Sequence, residues 1–455
     1  MRPEAPRPDV LHAVQPGDGG VARVVTDLVR AQLAAGLWVA VACPPGTELA
    51  AMVRAEGADT YDWRAGRDPG PRLLRETRDL ARLIRTVRPA LVHAHSAKAG
   101  LCARLALRGR VPTVYQPHAW SFEAVEGTTA ALALRWERWA ARWSAAIVCV
   151  SEAERHTGET AGVRARWSVI HNGVDTARFA PPEPGEALPA VPAGLTGATA
   201  SAVAAVPAGP TRSTPSAVAG VPAVPAVPGQ GHPEGPPAVA AETDAGRPAV
   251  DADASRPGGS GAGPGETAPG PLVVCVGRLC RQKGQDVLLA AWPAVVARVP
   301  GARLVLVGDG PEAERLRAAA PASVRFTGAV ADPAPWYRAA DVVVLPSRWE
   351  GMALAPLEAM ACGRPVVVAD VDGARESLPP GHEEPCLVPP EDPTALAAAL
   401  GRLLGGPDLR HSLGRQAREH VLSRFDVRRT GAAVAELYRE VAGVRCTEHR
   451  EPIAQ

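Results

Sequence analysis

Residues 341–370 read DVVVLPSRWEGMALAPLEAMACGRPVVVAD. The run Val342–Leu345 is short, rich in β-branched residues and apolar, as a strand buried on both faces of a parallel sheet must be. A polar loop follows, then LAPLEAMAC with helical character, then a second buried run at 365–369. Strand, loop, helix and strand in about 30 residues is the repeating unit of a doubly wound α/β sheet.

The same unit recurs outward in both directions. PLVVCVG, QDVLLAAWPAVVARV, RLVLVGDG, PEAERLRAAA and VRFTG precede it. The first 180 residues alternate likewise: DVLHAVQ, VARVVTDLVRAQLAAG, WVAVACP, RLLRETRDLARLIRTVRP, ALVHAHS, AGLCARLALRG, PTVYQPH and AAIVCVS. From Pro181 to about Gly270 the chain turns to Pro, Ala, Gly and Val, and no aromatic residue stands between Phe179 and Trp292. Such a segment cannot build a core and reads as a disordered insertion. The expected organisation is a domain over 1–180, a linker over 181–270, a second domain over 271–424, and a terminal helix with tail over 425–455. Two doubly wound domains in tandem turn the ligand-binding edges of their strands toward a shared cleft.

Composition narrows the function. The net charge is +1, which gives no reason to expect nucleic acid. Lys98 and Lys283 are the only lysines among 49 basic residues, which marks both as positions where a compact ammonium differs from a guanidinium. The eight cysteines, Cys446 included, form no C-x-x-C pair and read as reduced thiols. No signal peptide or spanning segment is visible, so a cytosolic location is expected.

Chemistry concentrates in two loops. If Pro356 opens the helix, Glu350 lies in the preceding loop and Glu358 in the first turn, with backbone N–H groups near Gly351 facing an anion. GRLCRQKGQD after PLVVCV sets Arg278 and Lys283 at a strand's C-terminal edge, suited to a diphosphate. A purely structural reading, with Glu358 complementing the helix dipole and the other charges solvated, competes for each residue taken alone. His93 and His95 stand two apart on a strand with no acid or cysteine nearby, so a metal is not expected there. Trp136, Trp139 and Trp143 share a helical face beside Arg135, Arg138 and Arg142; that helix suits either an anionic bilayer surface or inward packing of its tryptophans.

The ordered series GRLxxxKG, VGDGP, FTG and EGMALAPLEAMACGRPVVVAD, preceded by QPGDGGVARVV, HAHSAKAG, QPHAW, VSEAER and HNGVDTARF, resembles the family 4 retaining glycosyltransferases of the group 1 type. The resemblance covers both halves and implies a GT-B fold. It implies a nucleotide-sugar donor with Arg278 and Lys283 on the diphosphate, Glu358 on the ribose and Glu350 on the sugar. Backbone contacts are implied from Gly20 and from Met352, Ala353 and Leu354, and His118 is placed across the cleft. Lys98 and Trp120 are acceptor-side candidates, the acceptor being a saccharide or lipid-linked intermediate. No cofactor or metal is expected, and the final helix should cross to the first domain. Many members carry Glu-Gly-Phe-Gly where this chain has Glu350, Gly351, Met352 and Ala353, which puts the donor-sugar pocket in question. A sugar-nucleotide 2-epimerase on the same fold and a non-catalytic scaffold remain open alternatives; a dinucleotide dehydrogenase is disfavoured because no G-x-G-x-x-G opens the first helix.

Overall fold

The computed structural model describes residues 7–67, 69–183 and 270–444. The proposed linker falls almost wholly outside these residues, as do Cys446 and the tail. Two parallel sheets are present, as the alternation predicts. The first contains β1 (Val10–Val14), β2 (Val39–Cys43), β3 (Asp59–Asp62), β4 (Leu91–His95), β5 (Thr113–Gln116), β6 (Ala146–Cys149) and β7 (Trp167–Val169), in the order β3-β2-β1-β4-β5-β6-β7. The second contains β8 (Leu272–Val276), β9 (Arg303–Val307), β10 (Val324–Gly328), β11 (Val342–Leu345), β12 (Val366–Ala369) and β13 (Leu387–Val388), in the order β10-β9-β8-β11-β12-β13.

Each sheet reverses strand order beside its first strand. The crevices at these switch points lie at β1/β4 and β8/β11, where ligands of doubly wound folds bind. The central strands β1, β2, β4, β8 and β11 are buried at every position, because helices cover both faces. The helix Leu73–Val87 illustrates the reason: Leu80, Ile84 and Val87 fall on its buried stripe, and its arginines point outward.

The last helix, Val427–Ala442, lies on the first domain, with Val434, Leu437 and Tyr438 in the same core cluster as Val10, Val25, Leu28 and Val39. Its entry is tied by backbone bonds from Val174 N–H to Phe425 O (2.8 Å) and from Val427 N–H to Val174 O (3.0 Å). All seven described cysteines are buried and unpaired. No helix among the described residues is long and apolar enough to cross a membrane.

Candidate functional site

Lys283 sits in a short turn, Arg281–Lys283, between β8 and the helix Gln285–Arg298. Gly284 makes the turn possible: its φ is +64°, and a Cβ there would stand 2.0 Å from the Pro346 carbonyl oxygen. Close approach of the two loops brings the Lys283 ammonium 2.5 Å from Glu350 Oε1, which also accepts from Ser347 Oγ at 2.7 Å. The pair is largely buried. Arg278, at the C-terminal end of β8, is exposed. The two loops therefore meet at the β8/β11 switch point, as their strand-edge positions require.

The helix after β11 is Leu354–Ala361, so it opens two residues before Pro356. Pro356 is its third residue, where a missing N–H still costs nothing because the first turn has no intrahelical acceptors. Glu358 consequently lies in the second turn, which corrects the first-turn expectation. It is 3 % exposed and doubly held: Tyr337 Oη donates to Oε2 at 2.6 Å, and Arg23 Nη1 donates to Oε1 at 3.1 Å. Arg23 belongs to the first domain, three residues after Gly20, and its link to Glu358 spans the cleft. Gly20 opens the helix Gly20–Ala34 with no heavy atom within 4 Å of where a Cβ would stand. Ala353 precedes the Leu354–Ala361 helix with φ −73°, a conformation that needs no glycine.

Motifs of the first half prove to be clamps on the Gly351–Met352 loop. Ser151 Oγ donates to Gly351 O at 3.0 Å, and Asn172 Nδ2 donates to Met352 O at 2.8 Å. Glu376 accepts from the N–H groups of Glu152 and Ala153, both at 2.8 Å, and meets His171 Nε2 at 3.0 Å. A carboxylate at the start of the helix Glu152–Thr160 is favoured by that helix end. These bonds hold Gly351 so closely against the first domain that a Cβ on it would lie 2.8 Å from Val150 Cγ2 and 3.1 Å from Ala119 N. Sequence gave no sign of Arg23, Tyr337, Glu376 or the clamps, since each partner lies hundreds of residues away or on another element.

His118 follows β5 with φ +58°, and Ala119 with φ +106°. The turn is secured by Glu154, which accepts from Ala119 N at 2.6 Å and Val150 N at 2.7 Å. Burial lifts the Glu154 carboxyl to about 7, against these two donors. Glu123 is likewise raised to about 7, by burial first and then by Asp372, and Asp372 to about 6, by burial and Glu376. His118 lies 3.1 Å from His95 through Nε2–Nδ1, and burial holds its ring down at about 3.

Two expectations are corrected here. Lys98 is 3 % exposed and its ammonium meets Glu76 Oε2 at 2.7 Å. Trp120 is fully buried, its Nε1 donating to Glu154 O at 2.7 Å. Side chains enclosed in this way, one of them spent on an internal charge, offer no surface to an acceptor. His93 and His95 are joined by His12 from β1, and nitrogens of the three rings lie within 4.8 Å of one another. The third ring comes from the β1–β4 register, which pairs His12 with His93. In the Trp/Arg helix, Gly127–Ala140 with the turn Ala141–Trp143, Trp139 is 45 % and Leu132 67 % exposed. Arg142 lies 4.2 Å from the Trp139 ring centroid.

Two family profiles match this chain, Glycosyltransferase Family 4 over residues 18–178 and Glycosyl transferases group 1 over 270–405. The D-inositol 3-phosphate glycosyltransferase 2 of Catenulispora acidiphila is 36 % identical over 224 residues, 45 % of this chain and 52 % of that protein. The GDP-mannose-dependent alpha-(1-6)-phosphatidylinositol monomannoside mannosyltransferase of Mycolicibacterium smegmatis is 38 % identical over 181 residues, 37 % of this chain and 47 % of that protein. The matched stretch thus spans about half the length of these curated relatives. Among solved structures, HepE of Anabaena in complex with UDP and glucose aligns with TM-score 0.67 and 19 % identity, covering 94 % of this chain and 99 % of that one. Sucrose-phosphate synthase of Thermosynechococcus elongatus aligns with TM-score 0.66 and 22 % identity, covering 96 % and 99 %. These likenesses establish the GT-B fold. With one profile on each domain and that architecture in common, the chain belongs to the family 4 glycosyltransferases.

Proposed function

We propose that this chain is a retaining glycosyltransferase that moves a hexose from a UDP- or GDP-sugar to a lipid-linked or cell-surface saccharide acceptor. The observation that carries the reading is the Lys283–Glu350 pair at the β8/β11 switch point, beside the N-terminus of Leu354–Ala361 and with Arg278 exposed nearby. Arg278 and Lys283 meet the diphosphate, whose negative charge grows as its bond to the sugar breaks. The N–H groups of Met352, Ala353 and Leu354 and the backbone at Gly20 add donors to the same anion. Glu358, oriented by Tyr337, accepts from the ribose hydroxyls once Arg23, which reaches it across the cleft, gives up Oε1 to them. Glu350 binds the transferred sugar once the diphosphate draws Lys283 away, and His118 approaches that sugar from the first domain.

In this reading the reaction runs on one face of the sugar. The leaving phosphate takes the acceptor's proton, so no carboxylate nucleophile is needed and the protein's cations supply the charge stabilisation at the leaving group. The relative named for GDP-mannose and the HepE complex with UDP support the donor classes. The exposed Leu132 and Trp139, flanked by Arg135, Arg138 and Arg142, suit contact with an anionic membrane surface where a lipid-linked acceptor resides. Nucleoside diphosphate released only when acceptor is added is the expected result for a transferase; acceptor-independent release of nucleotide with epimerised sugar would replace this reading with the epimerase.

A further inference from the structure

Three imidazoles and one amide stand in line beneath the cleft. Gln32 Oε1 lies 2.8 Å from His12 Nε2, His12 Nδ1 2.9 Å from His95 Nε2, and His95 Nδ1 3.1 Å from His118 Nε2. Gln32, His12 and His95 are almost wholly enclosed. Burial lowers His12 to about 4 and His95 well below its ordinary value, so these rings are neutral in ordinary buffers. A neutral imidazole has one donor and one acceptor nitrogen. An amide oxygen can only accept, so the proton of His12 is on Nε2. Its Nδ1 then accepts, which puts the proton of His95 on Nε2 and leaves His95 Nδ1 to accept from Nε2–H of His118. A lone pair is thereby left on His118 Nδ1, which has no protein partner among the described residues.

The orientation of the Gln32 amide is set from its other side. Its Nε2 lies 3.4 Å from Tyr438 Oη, which is 2.6 Å from His93 Nδ1. Amide nitrogen donating to Tyr438, and the Tyr438 hydroxyl donating to His93, keep the Gln32 oxygen on His12. Helix Gly20–Ala34, strands β1 and β4 and the last helix thereby act together on one ring at the cleft.

We propose that Gln32, His12 and His95 are positioning residues that fix the tautomer of His118, presenting its Nδ1 lone pair to a hydroxyl of the transferred sugar. The inference rests on the transferase reading for the identity of that sugar. A hydroxyl whose proton is drawn toward Nδ1 carries more negative charge on its oxygen, which favours the positive charge developing at the anomeric carbon. The opposite tautomer would point an N–H at the sugar and withdraw that electron density.

The test is long-range 1H–15N spectroscopy of histidine-labelled wild type, Gln32→Met and Gln32→Glu, with turnover of UDP-glucose or GDP-mannose measured alongside. The wild type should hold His118 as the Nε2–H tautomer. Gln32→Met should give a tautomer mixture and lower kcat on the order of tenfold, with the Kd for UDP or GDP unchanged. Gln32→Glu, which keeps an acceptor oxygen against His12, should restore both the tautomer and most of kcat. A wild-type His118 protonated on Nδ1, a Gln32→Met variant with unchanged tautomer and kcat, or a stoichiometric metal ion bound by His12, His93 and His95 would each overturn the relay. If instead the tautomers behave as described while His118→Ala transfers sugar at the full rate, the relay stands and the placement of His118 at the sugar fails.

Discussion

Replacing Lys283 with methionine removes one of the two cations assigned to the diphosphate while keeping the length of the side chain. An ammonium about 4 Å from a phosphate oxygen, at an effective dielectric of about 20, is worth roughly 4 kcal/mol of attraction per unit charge. Glu350, 2.5 Å from the same Nζ, competes for that charge and offsets about half of it. The expected loss is therefore ~2 kcal/mol, or about 30-fold in the Kd for UDP or GDP. The variant also leaves Glu350, 8 % exposed, as an unpaired carboxylate facing the incoming anion. Adding Glu350→Gln to Lys283→Met should then improve binding several-fold over the single variant, a coupling opposite to that of two independent contacts. Isothermal titration with UDP and GDP, with the melting temperature recorded for each variant, reads all of this. A folded Lys283→Met protein that binds within threefold of wild type would exclude a diphosphate held by this ammonium. So would a double variant weaker than either single one.

Other outcomes follow from neighbouring groups. Tyr337→Phe deletes the 2.6 Å bond to Glu358 Oε2 and should weaken nucleotide binding by about 1.5 kcal/mol, roughly tenfold, with a smaller penalty for a nucleotide lacking ribose hydroxyls; titration of the two nucleotides checks it. Lys98→Met breaks the buried pair with Glu76 and should cost about 3–5 kcal/mol in urea unfolding, leaving the acceptor KM unchanged. His12, held at about 4 in the fold, gains a proton in the unfolded chain below about pH 6.5. Its contribution is therefore complete above that pH and is lost on acidification toward 4, at ~1.4 kcal/mol per pH unit. The raised carboxylates Glu123 and Glu154 act with the opposite sign but cancel when His12→Leu is compared with wild type. The stability of the variant should fall less steeply between pH 6.5 and 5, and parallel slopes would contradict the assignment.

What could be read from sequence was local. Buried strands, the alternation with helices, and the loops carrying Lys283 and Glu350 are written in contiguous residues, so periodicity and strand-edge position sufficed. The partners of Glu358 could not be read this way, because Arg23 is 335 residues distant and Tyr337 lies on a separate helix. The rarity of lysine correctly marked Lys98 as a special position, yet the same signal serves a buried ion pair as well as a ligand site. Only packing against Glu76 distinguishes them. His12 joined His93 and His95 through sheet register, which a sequence does not display. The helix start at Leu354 differed from the expected Pro356 because proline is tolerated throughout the first turn, not at its opening residue alone.

Binding of a nucleotide-sugar by the second domain through Lys283 and Glu358 is read out by thermal shift of the full chain against UDP-, GDP- and ADP-sugars, repeated with Lys283→Ala and Glu358→Ala. A UDP- or GDP-sugar should raise the melting temperature of the wild type, and both folded variants should lose the effect. Wild-type protein that melts cooperatively and is stabilised by none of these sugars, or variants that respond as the wild type does, would contradict it.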